Sequence, residues 1–297
     1  MSLRSLALIV LLVPLAVFGA AGLMGWRVPV PIWGRDYVVH VALGAARAAL
    51  VLPPIEGPTD PSRPLVVIDA GHGGRDPGAI GIDAAGRRIA EKDITLALAQ
   101  ALRAELLRGG GIRVALTRAD DRILPLAHRP EIARRLEADL FVSIHADSAG
   151  DKADVGGASI YTLSEAASSE AAARFAAREN DADRLNGIAI AGTSPAVSAI
   201  LVELSQQRTQ EAALAFARLV LREGGGAIAF HPQPQRSAAL AVLRAPDVPS
   251  VLFESGFVTN TTDRARLTTP EGRAAYAAAL ARAIRVFLAR EAAQAPG

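Results

Sequence analysis

Short apolar runs that lead into polar, metal-competent side chains constrain this chain more than any other feature of its sequence. Leu65–Ile68, Leu140–Ile144 and Val251–Phe253 are such runs. His145 and Glu254 follow the second and third directly, and His72 follows the first after Asp69, Ala70 and Gly71. A continuous apolar run of this length bounded by turn signals reads as a buried strand. Between the first two, Ile94, Leu98, Ala101, Leu102 and Leu106 fall on one helical face, and Gly109–Gly111 stop that helix. Val114–Thr117 and Ala158–Leu163 read as further strands, and Pro125–Ala138 as a second helix. Strands alternating with helices predict an α/β fold, with a mixed, largely parallel sheet flanked by helices on both faces. Such a sheet brings its strand ends to one edge, where ligands bind.

The alternation stops near Glu165. From there to Arg222 the chain is helical in period, and few β-branched runs interrupt it. Thr162 and Glu165 have the spacing of a capping box, with Ser164 as an alternative cap. Asn186-Gly187 and Gly192–Pro195 divide the stretch, and Gly224–Gly226 end it. So long a helical stretch exceeds what a crossover needs, so residues 165–222 read as a helical insertion. Leu240–Leu243 and Val251–Phe253 then resume the sheet, and Pro270–Ala289 forms a closing helix.

At the N-terminus, Arg4 precedes an apolar run from Leu6 to Phe18, and the small residues Gly19, Ala20, Ala21 and Gly22 follow. This pattern predicts export, with residues 1–24 as a signal peptide. Counted on through Trp26, the same segment serves as an uncleaved membrane anchor. Prolines at 29, 31, 53, 54, 58 and 61 mark residues 25–62 as a tether. The folded domain is expected over residues 63–290, with 291–297 as a tail. The chain has no cysteine, which removes disulfides, thiolate nucleophiles and Cys-type zinc sites together. Its formal net charge of +2 carries no signature of nucleic-acid binding.

Two neutral imidazoles and one carboxylate make a zinc site with an open fourth position, and His72, Glu91 and His145 supply that set. A carboxylate such as Glu254 can act as general base and then as general acid. Each residue also has a purely structural reading. His72 can cap a turn, Glu91 a helix start, His145 can be a satisfied core group, and Glu254 can pair with Arg244. The gaps between them are long, so spacing alone leaves both readings open. His231, between a glycine run and Pro232, can shape a groove or lie on a loop, and His128 reads as structural.

Four segments decide between them. Ile68–Gly74 with Asp76–Ala79, Glu91-Lys92-Asp93, Ser143–Asp147, and Ala245–Leu252 leading into Glu254–Phe257 and Thr259-Asn260 occur in this order. Together they resemble the zinc-dependent N-acetylmuramoyl-L-alanine amidases that split the septal cell wall, over about residues 63 to 290. The resemblance implies that His72, Glu91 and His145 bind Zn2+ and that Glu254 is the catalytic carboxylate. The implied substrate is the peptidoglycan amide between the lactyl group of N-acetylmuramic acid and L-alanine. Phe253 stands where a smaller aliphatic residue is expected. Arg129 is a candidate support for the site.

By the same resemblance the insertion is a helix that covers the active site until an activator protein displaces it. Glu165 and Glu170 are the candidate carboxylates for the open metal position at rest. Targeting is then expected to depend on a partner or on the tether. The competing readings are an exported zinc hydrolase of another amide and a catalytically inert cell-wall or division scaffold.

Overall fold

In the computed structural model, which describes residues 50–83, 85–185 and 199–294, the apolar runs lie side by side in one sheet. Its strands are β1 (Leu65–Ala70), β4 (Arg113–Leu116), β5 (Leu140–Asp147), β6 (Ala158–Leu163), β7 (Phe230–Ala238) and β8 (Ser250–Phe257), in the order β4-β1-β5-β8-β6-β7. Only the β6–β8 pairing is antiparallel. Two short strands, β2 (Ile80–Ile82) and β3 (Arg88–Ala90), form a separate hairpin. The helices among the described residues are α1 (Glu91–Arg108), α2 (His128–Arg135), α3 (Glu170–Asn180), α4 (Ala182–Leu185), α5 (Ala199–Gly224), α6 (Thr261–Thr268) and α7 (Pro270–Gln294).

The central strands β1, β5 and β8 are covered on both faces, as their near-continuous apolar character requires. Alternate residues feed two cores. Val66, Ile68, Val142 and Ile144 pack with Leu98 and Leu102 of α1 and with Phe216 and Phe287 of α5 and α7. Those two phenyl rings meet edge to face at 5.4 Å. On the other face Val67, Phe141, Tyr161 and Leu252 pack with Ile132 of α2 and Phe175 of α3. That second face becomes polar at the strand ends, where Asp69, His145 and Glu254 continue its row.

Three expectations need correction. Leu240–Leu243 is not a strand: Ala241–Leu243 is a single 3-10 turn, and the strand is β7 before it. Pro232 and Pro234 conceal β7 in the sequence, but it pairs only with β6 at the sheet edge, where a missing N–H breaks no inner ladder. The insertion helix is not capped at Thr162 or Ser164. Thr162 belongs to β6, and α3 is capped by Ser169, whose side chain accepts from the Ala172 N–H. Order also begins before Arg63: Glu56 and Val114 exchange backbone hydrogen bonds of 2.8 and 2.9 Å, and Glu56 is ion-paired with Arg103. The expected signal segment 1–24, the first part of the tether and the breaks at Asn186-Gly187 and Gly192–Pro195 lie outside the described residues. Among the described residues no helix is long and apolar enough to cross a membrane.

The exit of β1 is held by buried charge. Asp69 is fully buried and accepts from Thr117 Oγ1 at 2.6 Å, Ser143 Oγ at 2.7 Å and Arg129 Nη1 at 2.8 Å. Arg129 also donates to the carbonyls of Ala70 and His72, both at 2.8 Å. Arg118, just past β4, donates to the Ala70 carbonyl at 2.9 Å and to that of Gly71 at 2.8 Å. Two guanidiniums thus grip three successive carbonyls, so Arg129 is no surface helix residue: it is buried. Burial alone would raise the Asp69 pKa, but Arg129 and the two hydroxyls outweigh it and hold the carboxyl below its usual range. Burial, followed by the charge of Arg129, pushes Arg118 down to about 10.

Removing one partner of such a pair strands a buried charge, so Arg129→Met is expected to lose about 3–5 kcal/mol in chemical denaturation. The Asp69 pKa is depressed on folding, so its contribution is present above the ordinary carboxylate pKa and lost as pH falls through the lowered folded value. The gap between parent and variant should therefore narrow in acid. A gap below about 1 kcal/mol at neutral pH would show that the pair is not a support.

Candidate functional site

Beyond Ala70 the chain turns sharply, and His72 adopts a left-handed conformation with φ 62°. A non-glycine residue there stores strain on the order of 1 kcal/mol, and the hydrogen bond from Arg129 to its carbonyl holds it in place. His72 Nδ1 lies 2.8 Å from the buried Asp76 Oδ2. A carboxylate in that position keeps the proton on Nδ1 and leaves the Nε2 lone pair facing the site. Nε2 is buried without a hydrogen-bond partner, and Glu91 Oε1 lies 3.1 Å away.

Glu91 is the first residue of α1, where the helix favours an anion. Its Oε2 accepts from the Ala79 N–H and its Oε1 from the Ala146 N–H, both at 2.8 Å. Gly78, at φ 65°, makes room: a Cβ there would sit 2.6 Å from Glu91 Oε2. His145, at the end of β5, places Nδ1 3.2 Å from Glu91 Oε1. Its ring lies over Gly71, where a Cβ would come within 2.5 Å of it. Only glycine fits between β1 and that imidazole.

A fourth donor comes from a residue that the sequence reading did not single out. Glu179, in the last turn of α3, brings Oε2 to 3.5 Å from His72 Nε2 and 3.3 Å from His145 Nδ1. The ligand atoms of His72, His145 and Glu179 all lie within 4.8 Å of one another. Glu165 and Glu170 do not reach this cluster. Glu170 is exposed at the start of α3 and pairs with Arg174, and Glu165 lines a separate groove with Leu163 and Arg244. The helix docks by its C-terminal turn, about 13 Å along its axis from Glu170. The signal was in the sequence: Ala172, Phe175, Ala176 and Glu179 share one buried stripe, so an acid continues the apolar face.

The donor set fits a metal. Two imidazoles and two carboxylates converge, one lone pair is orphaned, and no sulfur is present. Burial would lower the His72 pKa, but Glu91, Asp76 and Glu179 raise it well above the ordinary value. Glu91 is held well below its ordinary value by the two histidines, against the burial that would raise it. The cluster thus draws in positive charge, which a proton or a cation can provide.

Glu254 lies on β8 in register with His145 on one side and Ser159 of β6 on the other. Its Oε2 accepts from the Asp147 N–H at 2.9 Å, and its buried Oε1 has no hydrogen-bond partner. Burial, then the charges of Asp147, Glu91 and Glu179, raises its pKa well above the carboxylate range. Burial likewise pushes Asp147 up to about 6, against the opposing pull of Arg178. Arg244 is not a partner of Glu254.

The α3 helix is fastened over this site at several points. Arg178 is ion-paired with Asp147 and lies 5.4 Å from the centre of the Phe175 ring, which packs on Tyr161 at 4.7 Å. The Asn180 amide donates to the Ala239 carbonyl at 2.9 Å and accepts from the Ala241 N–H at 2.8 Å. Asp183 accepts from the Leu126 N–H at 2.8 Å. His231 stands apart on β7 beside Arg236, and His128 opens α2 half-buried.

The structure therefore brings together His72, Glu91, His145 and Glu254, with Arg129 behind them. Among proteins of known name, the chain is 38% identical over 224 residues to N-acetylmuramoyl-L-alanine amidase AmiA of Salmonella typhimurium, covering 75% of each. It is 33% identical over 238 residues to the AmiC amidase of Escherichia coli, covering 80% of this chain and 56% of that one. Among solved structures, AmiC2 of Nostoc punctiforme superposes with a TM-score of 0.54 at 29% identity, covering 77% of this chain and 99% of that one. The Amidase 3 family, described as N-acetylmuramoyl-L-alanine amidase, matches residues 66–286, and the chain belongs to that family.

Proposed function

We propose that this chain cleaves peptidoglycan at the amide between the lactyl group of N-acetylmuramic acid and L-alanine, using zinc held by His72, Glu91 and His145. One observation carries the mechanism: the free Oε1 of a buried carboxylate, Glu254, stands in register beside the orphaned histidine–glutamate cluster. Bound zinc supplies Lewis acidity toward the amide carbonyl and toward water. Glu254 takes the proton of the attacking water on Oε1 and returns it to the departing alanine nitrogen. Its Oε2 stays anchored on the Asp147 N–H, so the acceptor oxygen keeps its aim. Asp76 fixes the tautomer of His72, and the Ala79 and Ala146 N–H groups fix both oxygens of Glu91. Arg118 and Arg129 hold the loop that carries His72 against its own strain.

The resting enzyme is closed by α3, with Glu179 in the position that substrate needs. The contacts of Glu179, Arg178 and Asn180 support this reading, because all three lie in the last turn of one helix and release together if it lifts. An activator protein that displaces α3 opens the site. Residues 1–24 direct export to the periplasm, or tether the chain to the membrane if uncleaved, and the activity serves cell separation.

Glu254→Ala is expected to keep its zinc, measured by mass spectrometry, and to lose about 10²–10⁴-fold in release of stem peptides from sacculi. Zinc retained with undiminished release would remove Glu254 as the base. Glu179→Ala is expected to raise hydrolysis without activator, whereas Glu170→Ala leaves it at the resting level. Equal basal rates in the parent and in Glu179→Ala would contradict closure by this carboxylate.

A further inference from the structure

We infer that Arg236 on edge strand β7 binds a carboxylate of the stem peptide, and that the faces of β6 and β7 beside Glu254 form the floor on which this peptide lies once α3 has lifted. The inference rests on the amidase reading above and names the part of the substrate that the site selects.

Register sets the floor. Glu254 pairs with Ser159, Leu252 with Tyr161, and Tyr161 with Arg236. Paired and alternate residues share a face, so Glu254, Ser159, Tyr161 and Arg236 stand on the same side of the sheet. Arg236 Nη1 donates to the Tyr161 hydroxyl at 3.2 Å, and its guanidinium carbon lies 5.9 Å from the centre of that ring. The phenol in turn lies within electrostatic range of the Glu254 and Asp147 carboxylates. Arg236 is thereby linked to the catalytic end of the sheet through one side chain.

Its remaining partners leave its charge unanswered. Nε donates to the Gln233 carbonyl at 3.0 Å, and Nη2 faces His231 Nδ1 at 2.9 Å. Burial, and then the guanidinium beside it, lower the pKa of that imidazole. Among the described residues no carboxylate lies within ion-pair distance of Arg236. The site beside it holds acids at 91, 147, 179 and 254, and Arg236 pairs with none of them. Arg178, which offsets Glu254 and Asp147 in this structure, belongs to α3. When α3 lifts, Arg178 leaves with it, and Arg236 stays on this face.

The closed helix covers this same floor. Phe175 packs on the Tyr161 ring and Arg178 packs on Phe175, so the lid occupies the ground that a substrate would take. Beneath it the Ser159 hydroxyl is buried without a partner, directly across from Glu254. The floor therefore carries a second polar group that no protein atom satisfies. The scale also matches. Two strand spacings separate β8 from β7, about 10 Å, which is the reach of about three residues of extended peptide. The planar fork of arginine suits a carboxylate in a bidentate pair.

The test uses the chain with Glu179→Ala, with position 236 as Arg, Lys or Gln, and two probes: N-acetylmuramoyl-L-alanyl-D-glutamate and the same compound with both glutamate carboxyls amidated. With Arg236 present, kcat/KM is expected to favour the carboxylate probe. In Arg236→Gln that preference should fall about 10- to 100-fold, through KM rather than kcat, as loss of charge-assisted hydrogen bonds implies. Arg236→Lys should retain part of it. A preference that is absent, or that survives Arg236→Gln, overturns the inference while leaving the amidase reading intact. Cleavage of neither probe with Arg236 in place overturns the amidase reading, and this inference with it.

Discussion

Everything at the catalytic edge depends on how β1 ends. The carbonyls of Ala70, Gly71 and His72 point into a region with no further strand to accept from, and two buried guanidiniums satisfy them. Arg129 is neutralised by Asp69, which is in turn held by hydroxyls from β5 and from the end of β4. Backbone polar groups left unpaired in this setting would each cost about 1–3 kcal/mol. The grip therefore serves two purposes: it completes the hydrogen bonding of a buried strand end, and it holds His72 in a conformation that it would not otherwise keep. Gly71 then lets His145 pack directly against the backbone, and the two imidazoles stand 4.8 Å apart at nearly right angles.

The second organising feature is an excess of negative charge. Glu91, Asp147, Glu179 and Glu254 are drawn to one end of the sheet, where water is largely excluded. Their mutual repulsion is visible in the raised pKa of Glu254 and of Asp147, both dominated by burial. Such a concentration of acid is stable only with positive charge among it. Arg178, ion-paired with Asp147, provides part of it. The α3 helix thus presents both an acid to the ligand cluster and a base to Asp147, from neighbouring residues of one turn. Its hold on the site is electrostatic as well as apolar.

Much of this was legible in the sequence, for reasons that can be traced to particular residues. The runs at 65–68, 140–144 and 251–253 read as strands because a strand buried on both faces has no room for polar residues until it ends. His145 and Glu254 were visible as the polar residues that terminate such runs. Glu91 was visible only through resemblance, since an acid at a helix start has a capping explanation of equal weight. Strand β7 was hidden because edge strands tolerate proline. Arg118 gave no signal, because an arginine after a strand looks like any surface arginine until the fold turns it inward. Glu179 was missed in favour of Glu165 and Glu170, acids near the start of the insertion. Its position on the Ala172–Phe175–Ala176 stripe was the better guide, since a charged residue on a buried stripe needs a partner.

The central claim is that His72, Glu91 and His145 form one metal centre and that Glu179 shares it at rest. Anomalous diffraction at the zinc absorption edge, from zinc-loaded crystals of this chain and of Glu179→Gln, tests it most directly. The account expects a single strong peak about 2.0–2.2 Å from His72 Nε2, His145 Nδ1 and a Glu91 oxygen, with Glu179 coordinating in the parent and absent from the coordination sphere in the variant. A peak at other side chains, or the same set of ligands with Glu179 excluded in both crystals, would contradict it.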